Sequence, residues 1–199
     1  MSKAGRLRMS VLDWLDFGLE TLAEGGPDSL TIDGLCLRAG KTKGSFYAHF
    51  QSHDEFIIAL AVHWRKRYTE NVIERVEAEA EPQQRMEHLN RIVIHLDPRI
   101  GHGMRRLAEK NQEVEQMVAE IDQIRISYLA DLHLASGNFT PEDARDLAII
   151  ENAAFIGLTA TGYSKNAAEM ERLYSTFMRL LAPRSTQETT PPDLGRELQ

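Results

Sequence analysis

The chain of 199 residues is acidic, with a formal net charge of −7 at pH 7, and 42% of its residues are hydrophobic. These proportions are ordinary for a globular protein, and no apolar run approaches the ~20 residues that cross a bilayer. The start of the chain lacks the apolar stretch of a secretory signal, and the single cysteine excludes an intramolecular disulfide. We therefore expect a cytoplasmic protein.

The acidic balance of the whole chain hides a neutral N-terminal segment. Up to His53, six acidic and six basic side chains cancel, so the net charge lies entirely beyond that point. Acidic residues are absent from Gly34 to His53, where Arg38, Lys41 and Lys43 stand. The sequence therefore predicts a locally positive face on an acidic body, which is compatible with binding of phosphates.

Apolar residues recur at helical spacing almost throughout, and strand patterns are absent. A first helix ends at Gly25-Gly26-Pro27, Thr31 can cap a second and Thr42 a third. Gly40 stands where a left-handed residue closes a helix. The first 50 residues therefore predict three short helices, with a tight turn between the second and the third.

A capping box at Ser52–Glu55 opens a long fourth helix, which runs to about Glu81 before Pro82 stops it. The sixth predicted helix, residues 98–108, contains Gly101 and Gly103 and is predicted to be weak. The other predicted helices occupy residues 84–96, a long stretch that Asn111 caps and Gly137 ends, a stretch that begins at Thr140-Pro141, and residues 166–181.

The third helix has the side chains that a helix needs to enter a DNA major groove. Thr42 and the free backbone amides beside it favour a phosphate, and Lys43 can reach a phosphate or a guanine edge. Ser45 is short enough to touch a base edge or a phosphate, and Tyr47 can stack on the sugar-phosphate wall. A glycine within a helix costs about 1 kcal/mol of helix stability relative to alanine. Gly44 is therefore reasonable if the DNA must approach the helix backbone closely.

An alternative is that the aromatic residues of this helix only pack in the core and its lysines only face solvent. We accept that interpretation for Phe46 and Phe50, whose spacing places them on the inner side. For Tyr47, with Lys43 and Ser45, we predict contact with DNA.

The segment resembles the DNA-binding head of the TetR/AcrR family of bacterial transcriptional regulators over residues 6–62. The resemblance implies contacts to a double-stranded operator from Thr31, Lys41, Thr42, Lys43, Gly44, Ser45, Tyr47, His49 and His53. The matching residues, in order, are Leu30-Thr31-Ile32, Ala39-Gly40, Lys43-Gly44-Ser45-Phe46-Tyr47, His49-Phe50 and Ser52-x-x-Glu55-Phe56.

Two residues depart from the family's pattern. Lys41 stands where members usually carry a small aliphatic residue, so its side chain must extend outward, onto a phosphate. His53 stands where a lysine commonly touches a phosphate. A histidine holds a phosphate well only when it is protonated, so we predict weaker or more pH-dependent binding.

The resemblance implies an all-α fold of about nine helices in three parts. A helix-turn-helix head (1–52) is joined by the fourth helix to a larger ligand-binding and dimerisation domain (53–182), and a disordered tail (183–199) follows. The family dimerises through its last two helices, although the same residues could face the core of the monomer. The predicted interface residues are Ala154, Gly157, Leu158, Met170, Leu173, Tyr174 and Phe177.

The family's effector pocket lies among the fourth to eighth helices. Aromatic residues and flexible methionines there suit a largely apolar effector, although each could instead pack in the core. No buried charge is identifiable, and Asp122 and Arg125 are predicted to pair on the helix surface. The predicted lining residues are Trp64, Tyr68, Met86, Leu89, Met104, Leu107, Met117, Tyr128 and Phe155.

The sequence predicts neither a metal site nor a cofactor. The nearest histidine cluster, His95-x-Asp97 with His102, matches no strong ligand spacing, and common catalytic fingerprints are absent. We therefore predict a non-enzymatic, sequence-specific repressor that a small molecule releases from its operator. The alternatives are an all-helical ligand carrier or enzyme, or a protein-interaction adaptor, with no DNA release.

Overall fold

The computed structural model of the protein describes residues 8–161 and 167–181. Within these ranges the chain is helical, with short turns and no strand, which confirms the all-α prediction. The elements are α1 (Val11–Gly25), a 3₁₀ turn (Pro27–Ser29), α2 (Ile32–Ala39), α3 (Lys43–Tyr47), α4 (His53–Arg65), a π-helical segment (Lys66–Glu70), α5 (Asn71–Glu77), α6 (Pro82–Ile94), α7 (Pro98–Ala108), α8 (Gln112–Ala135), α9 (Pro141–Ala160) and α10 (Ala167–Leu181).

Side-chain caps start most of these helices, because each satisfies a backbone N–H group that lacks a partner within the helix. Ser10 and Asp13 form a complete capping box at α1, which the sequence analysis missed. At α4 the box is only half formed, since the Glu55 carboxylate accepts from the Gln51 amide. The predicted caps of α2, α3, α4, α8 and α9 are confirmed: Thr31, Thr42, Ser52, Asn111 and Thr140.

The predicted fourth helix is one continuous rod that contains an irregular turn. It runs through α4, the π-helical segment and α5, and we call this rod the connector. It ends at Glu77, and Pro82 begins the next helix rather than only stopping this one. With the connector taken as one helix, the described part of the chain has the nine α-helices that the sequence predicts.

Two apolar clusters form the core. The first runs from α1, α3 and α4 into α7 and the start of α8, and includes Trp14, Phe46 and Met104. The second lies between α5, α6, α8 and α9, and includes Val76 and Leu129. The first cluster crosses the predicted boundary at residue 52, so the head packs directly on the body; the boundary itself stays a prediction.

Helix α7 is a regular helix, so the prediction of a weak segment is wrong. Its Gly103 is buried against α1, where an added Cβ would lie 2.7 Å from Cγ of Leu22. The glycine therefore permits close packing of the two helices, and this packing supports a helix that its own sequence disfavours.

No helix in the two described ranges has the length and apolar character needed to traverse a bilayer. The predicted tail, residues 183–199, lies outside the described part of the chain.

Candidate nucleic-acid interface and internal cavity

Helices α2 and α3 form a helix-turn-helix unit. Gly40 closes α2 in the left-handed conformation, with φ 61°, as predicted. Two residues after Gly40, the Thr42 hydroxyl accepts a hydrogen bond from the Ser45 amide at 3.3 Å and so caps the start of α3. These local signals set the short turn between the two helices.

Phe46 fixes α3 to the rest of the head. Its ring is fully buried and packs edge-on against Trp14 at 5.5 Å and Phe56 at 5.3 Å between ring centroids. Phe50 is buried in the same aromatic cluster. The inward prediction for both phenylalanines is confirmed, and it leaves the opposite side of α3 at the surface.

The outer side of α3 carries the predicted DNA-contact residues. Thr42, Lys43, Gly44 and Tyr47 are exposed, and half of the Tyr47 side chain faces solvent. A Cβ on Gly44 would meet only the Thr42 hydroxyl, at 3.7 Å. The packing of the protein therefore does not demand a glycine here, which is consistent with close approach of an external molecule.

The remaining predicted contacts surround this face to different degrees. Thr31 is exposed at the start of α2, where its hydroxyl accepts the Gly34 amide at 3.1 Å. Lys41 and Ser45 are half-buried. Their roles in DNA binding stay predictions, because no DNA is present.

His49 is turned partly inward. Its Nε2 atom is buried without a hydrogen-bond partner in the described part of the chain, and its ring lies against Phe50. In this conformation Nε2 cannot donate to a phosphate, so the predicted contact would have to come from Nδ1.

Ion pairs partly neutralise the cations of this surface. The Lys43 ammonium lies 2.6 Å from an Asp33 carboxylate oxygen, and both side chains are exposed. This hydrogen bond raises the pKa of Lys43, so the lysine stays charged at neutral pH. Arg38 pairs with Glu24 in the same way. Asp33 therefore competes with a phosphate for Lys43.

We expect Asp33→Asn to strengthen duplex binding by about three- to tenfold at low salt, because it removes one negative charge and releases one cation. Fluorescence anisotropy with a labelled duplex measures the change. Glu113→Gln, at an exposed acid in the first turn of α8, is the matched control and should change the affinity little. Equal effects of the two variants would show that only net charge matters.

His53 has one ring nitrogen committed inside the protein. Nε2 lies 2.7 Å from the Leu30 carbonyl oxygen, and Nδ1 lies 3.8 Å from a carboxylate oxygen of Asp54. Because a carbonyl only accepts, Nε2 carries the proton in the neutral ring, and Nδ1 then has no hydrogen. Only the protonated ring can donate from Nδ1 to a phosphate.

We therefore expect duplex affinity to be lower at pH 8 than at pH 6, because only the protonated ring can donate from Nδ1 to a phosphate. His53→Lys should bind tightly without that dependence, and His53→Ala should bind weakly with a flat profile. Titrations at constant ionic strength measure all three proteins. Identical pH profiles for the wild type and His53→Ala would remove His53 from the interface.

A cavity of about 260 Å³ lies between the connector, α6, α8, α9 and α10. Four of the predicted pocket residues line it: Tyr68, Leu89, Tyr128 and Phe155. Trp64 lines a smaller neighbouring cavity of about 50 Å³. Met86, Met104, Leu107 and Met117 line neither of these two cavities.

These four residues pack against apolar neighbours instead. Met104 and Leu107 belong to the first core cluster, Met117 packs against that cluster, and Met86 belongs to the second. A helical stripe predicts which side of a helix is buried, but it does not distinguish a packed core from a cavity wall.

The cavity wall contains charged residues that the sequence analysis missed. Arg125 and Glu151 both line it. Glu151 accepts from Nε2 of His133 and from the hydroxyl of Tyr174, both at 2.7 Å. Burial and the neighbouring carboxylate raise the pKa of Tyr174, so its hydroxyl remains a donor. The sequence signal that could have revealed them is a charged residue within an apolar helical stripe, such as Glu151 between Leu147 and Leu158.

The predicted surface pair of Asp122 with Arg125 is also wrong. Asp122 receives two hydrogen bonds from Arg105, at 2.8 and 2.6 Å. Arg125 is directed toward the connector instead.

The predicted dimer residues divide between the surface and the cavity. Gly157 and Ala154 are exposed on α9, although Ala154 also borders the cavity. Met170 is only 5% exposed within the monomer, where it packs instead of facing outward. The other predicted residues are half-buried and line the cavity: Leu158, Leu173, Tyr174 and Phe177.

Exposed large apolar residues that the sequence analysis missed lie on α9 and at the end of α10. Ile149, Ile150 and Leu180 are 41%, 56% and 77% exposed. Ala153 and Gly157 are also exposed on α9. We call these five residues, with Ala154, the outer α9–α10 face.

In the described ranges, no three His, Cys, Asp or Glu side chains are grouped to hold a metal ion. An exposed, cap-defined helix-turn-helix on an all-helical body, with an internal cavity beside the connector, is the arrangement of a DNA-binding regulator. Residues 15–60 match the family model for bacterial regulatory proteins of the tetR family. Residues 15–60 are therefore a DNA-binding domain of the tetR type, and the chain as a whole has the fold of solved TetR-family transcriptional regulators.

Solved structures agree with this fold. A transcriptional regulator from Saccharomonospora viridis in complex with choline has a TM-score of 0.73 and 14% identity, over 85% of this chain and 95% of that one. A TetR-family transcriptional regulator from Agrobacterium tumefaciens has a TM-score of 0.68 and 16% identity, over 86% and 98%. FadR from Bacillus subtilis in complex with stearoyl-CoA has a TM-score of 0.64 and 16% identity, over 87% and 98%.

The matched family and these neighbours are transcriptional regulators, not enzymes. No curated protein matches the sequence significantly.

Proposed function

We propose that the protein is a homodimeric repressor, acting in the cytoplasm, that leaves its operator when a small, largely apolar effector occupies the cavity. The observation that carries this proposal is the shared connector. Its first half packs in the same core as α3, and its second half supplies Tyr68, Val72 and Ile73 to the cavity wall. An occupant therefore touches the same helical rod that supports the DNA-reading head.

Such a contact regulates binding only if the occupant prefers one arrangement of the heads. A shift of a few kcal/mol between two states is sufficient to release most of the DNA. The neighbouring structures with choline and with stearoyl-CoA support an effector site in proteins of this fold, with ligands of different chemistry.

We propose that two copies associate through the outer α9–α10 face. This face exposes large apolar side chains, and the glycine at position 157 has no atom within 4 Å of the place where its Cβ would stand. Close contact between two copies of α9 is therefore sterically permitted. A dimer would present two α3 helices to half-sites about 34 Å apart on the same side of a duplex.

The proposal is tested with duplexes that the wild-type protein selects from a random-sequence pool. A regulator should bind a selected duplex far more tightly than an unrelated one, and its affinity should fall by roughly 10³–10⁵ between 50 and 200 mM salt. A ligand carrier or an adaptor would select no sequence. Sedimentation equilibrium on the wild type and on Ile150→Glu tests the interface, since a charge there should yield monomers that bind DNA poorly.

A further inference from the structure

We propose that Arg125 recognises the acid group of an amphipathic carboxylic acid in the cavity and couples that ligand to the connector. The inference rests on the proposed effector function of the cavity and specifies the chemistry of its ligand. It depends on the contacts of Arg125, on the state of Glu151 and on the place where the connector is irregular.

Within residues 8–161 and 167–181, the polar partners of Arg125 belong to the connector. Its Nε atom donates to the Thr69 hydroxyl at 3.0 Å, and Nη2 donates to the Tyr68 carbonyl at 3.3 Å. Its guanidinium carbon lies 5.1 Å from the centroid of the Trp64 ring, within cation–π range. These contacts hold the guanidinium between the two cavities, both of which it lines.

The guanidinium is half-buried and has no carboxylate in contact. No carboxylate oxygen of the described residues lies within 4 Å of its nitrogens, because the nearby Asp122 is held by Arg105. Burial lowers the pKa of Arg125 to about 10, so the group is still charged at neutral pH. A guanidinium has five N–H donors, and the described residues of the protein accept from two of them. The remaining donors and the uncompensated charge favour an anion.

The negative group of the cavity is, by contrast, already satisfied. One oxygen of Glu151 accepts from His133 and the other from Tyr174. Both oxygens of Glu151 are thus engaged by side chains of the protein, whereas the guanidinium of Arg125 keeps unused donors toward the cavity. Because a guanidinium fork matches a carboxylate in two parallel hydrogen bonds, an acid fits this wall better than an amine.

The rest of the wall selects an apolar body. Most of the lining is aliphatic or aromatic, and 260 Å³ suits a small molecule rather than a peptide. A ligand with an acid at one end and a hydrocarbon or aryl body satisfies both features. The apolar members that frame the body include Val72, Leu89, Val93, Leu129 and Phe155.

The same arginine adjoins the irregular turn of the connector. Tyr68 and Thr69 lie within the π-helical segment Lys66–Glu70, a type of turn that is rare and often lies at functional sites. The Arg125 side chain donates to a backbone carbonyl of that segment. A carboxylate bound to the remaining donors draws the guanidinium away from the connector, so the π-helical turn loses support when the ligand binds. A change to α-helical pairing would rotate α4, and the head with it, relative to α5.

The first test compares three ligands with the same chain: decanoate, decanol and decylammonium. Isothermal titration calorimetry on the wild-type protein should show decanoate binding about tenfold or more tighter than decanol, the scale of a charge-assisted hydrogen bond. Equal affinities, or tightest binding of decylammonium, would overturn the proposal. This comparison needs no variant, so it decides the question even if an Arg125 variant is unstable.

The second test uses Arg125→Met, which keeps the length and removes the charge. It should lose the preference for decanoate but retain binding of decanol. Arg91→Met, an exposed arginine on α6, is the matched control and should behave as the wild type. Retention of the preference in Arg125→Met would overturn the proposal.

The third test addresses coupling through Thr69→Val, which keeps the shape and removes the acceptor of Nε. We expect decanoate still to bind, and to weaken binding of the selected duplex by less than it does in the wild type. If decanoate weakened duplex binding as much in Thr69→Val as in the wild type, the proposed coupling would be overturned. Failure of the ligand-free wild type to select any duplex would refute the proposed function itself, whereas selection without a preference for decanoate refutes only this inference.

Discussion

Alanine at both Lys43 and Tyr47 should reduce affinity for a selected duplex by about a hundredfold or more, because each removes one predicted contact to DNA. The fold should survive the change. Among the residues that the structure describes, Lys43 makes its ion pair with the exposed Asp33, and Tyr47 is half exposed, with its ring edge against Phe46. Neither side chain fills the core, so helical circular dichroism and the melting temperature should stay close to those of the wild type.

Anisotropy titrations at fixed salt measure the loss, with two controls. Tyr47→Phe keeps the ring and removes the hydroxyl, so it should show an intermediate affinity. Arg75→Ala removes an exposed cation from α5, far from α3 in sequence, and should change the affinity little. A double variant that still binds the selected duplex tightly would place the DNA-reading surface elsewhere.

Replacement of the neighbouring Phe46 by alanine should, in contrast, lower the stability of the head. The side chain is fully buried within the rings of Trp14, Phe50 and Phe56, so its removal leaves a cavity at the centre of the head. Such changes typically cost about 3–5 kcal/mol in the free energy of unfolding. DNA binding should be lost together with the structure of the head.

Urea unfolding followed by circular dichroism measures this effect. Phe46→Leu, which keeps most of the apolar volume, should cost about 1 kcal/mol and preserve DNA binding. A small loss of stability in Phe46→Ala would show that the aromatic cluster does not hold the head together.

The two adjacent residues together decide between the alternatives that the sequence leaves open. If all aromatic residues of α3 serve only the core, Tyr47→Ala should destabilise the head as Phe46→Ala does. If Tyr47 reads DNA, its replacement should affect affinity and leave the free energy of unfolding nearly unchanged. The exposure of Tyr47 and the complete burial of Phe46 lead us to expect the second result.

The head was predictable because its signals are local. Thr31, Thr42 and Gly40 act on backbone groups within a few residues of themselves, so their types and spacing fix the helix ends. The family resemblance rests on the same short segment. The orientation of His49, with Nε2 buried, was not predictable, since it depends on packing rather than on spacing.

The body was predictable only as a set of helices. The methionines expected in a pocket pack in the core, and Gly103, expected to weaken α7, instead admits Leu22 of α1. The fate of each depends on which helix lies opposite, and apolar spacing within one helix does not contain that information.

Short-range chemistry in the sequence thus determined the all-helical class, the helix ends and the outward presentation of α3. Tertiary structure alone decided that Arg125 donates to the connector, while Arg105 forms the ion pair with Asp122. It also decided where the chain leaves a cavity and that Ile149 and Ile150 stay at the surface. The physical reason is range: a cap or a turn is satisfied by its neighbours in the chain, whereas a buried charge or an apolar face is satisfied by whichever helix packs against it.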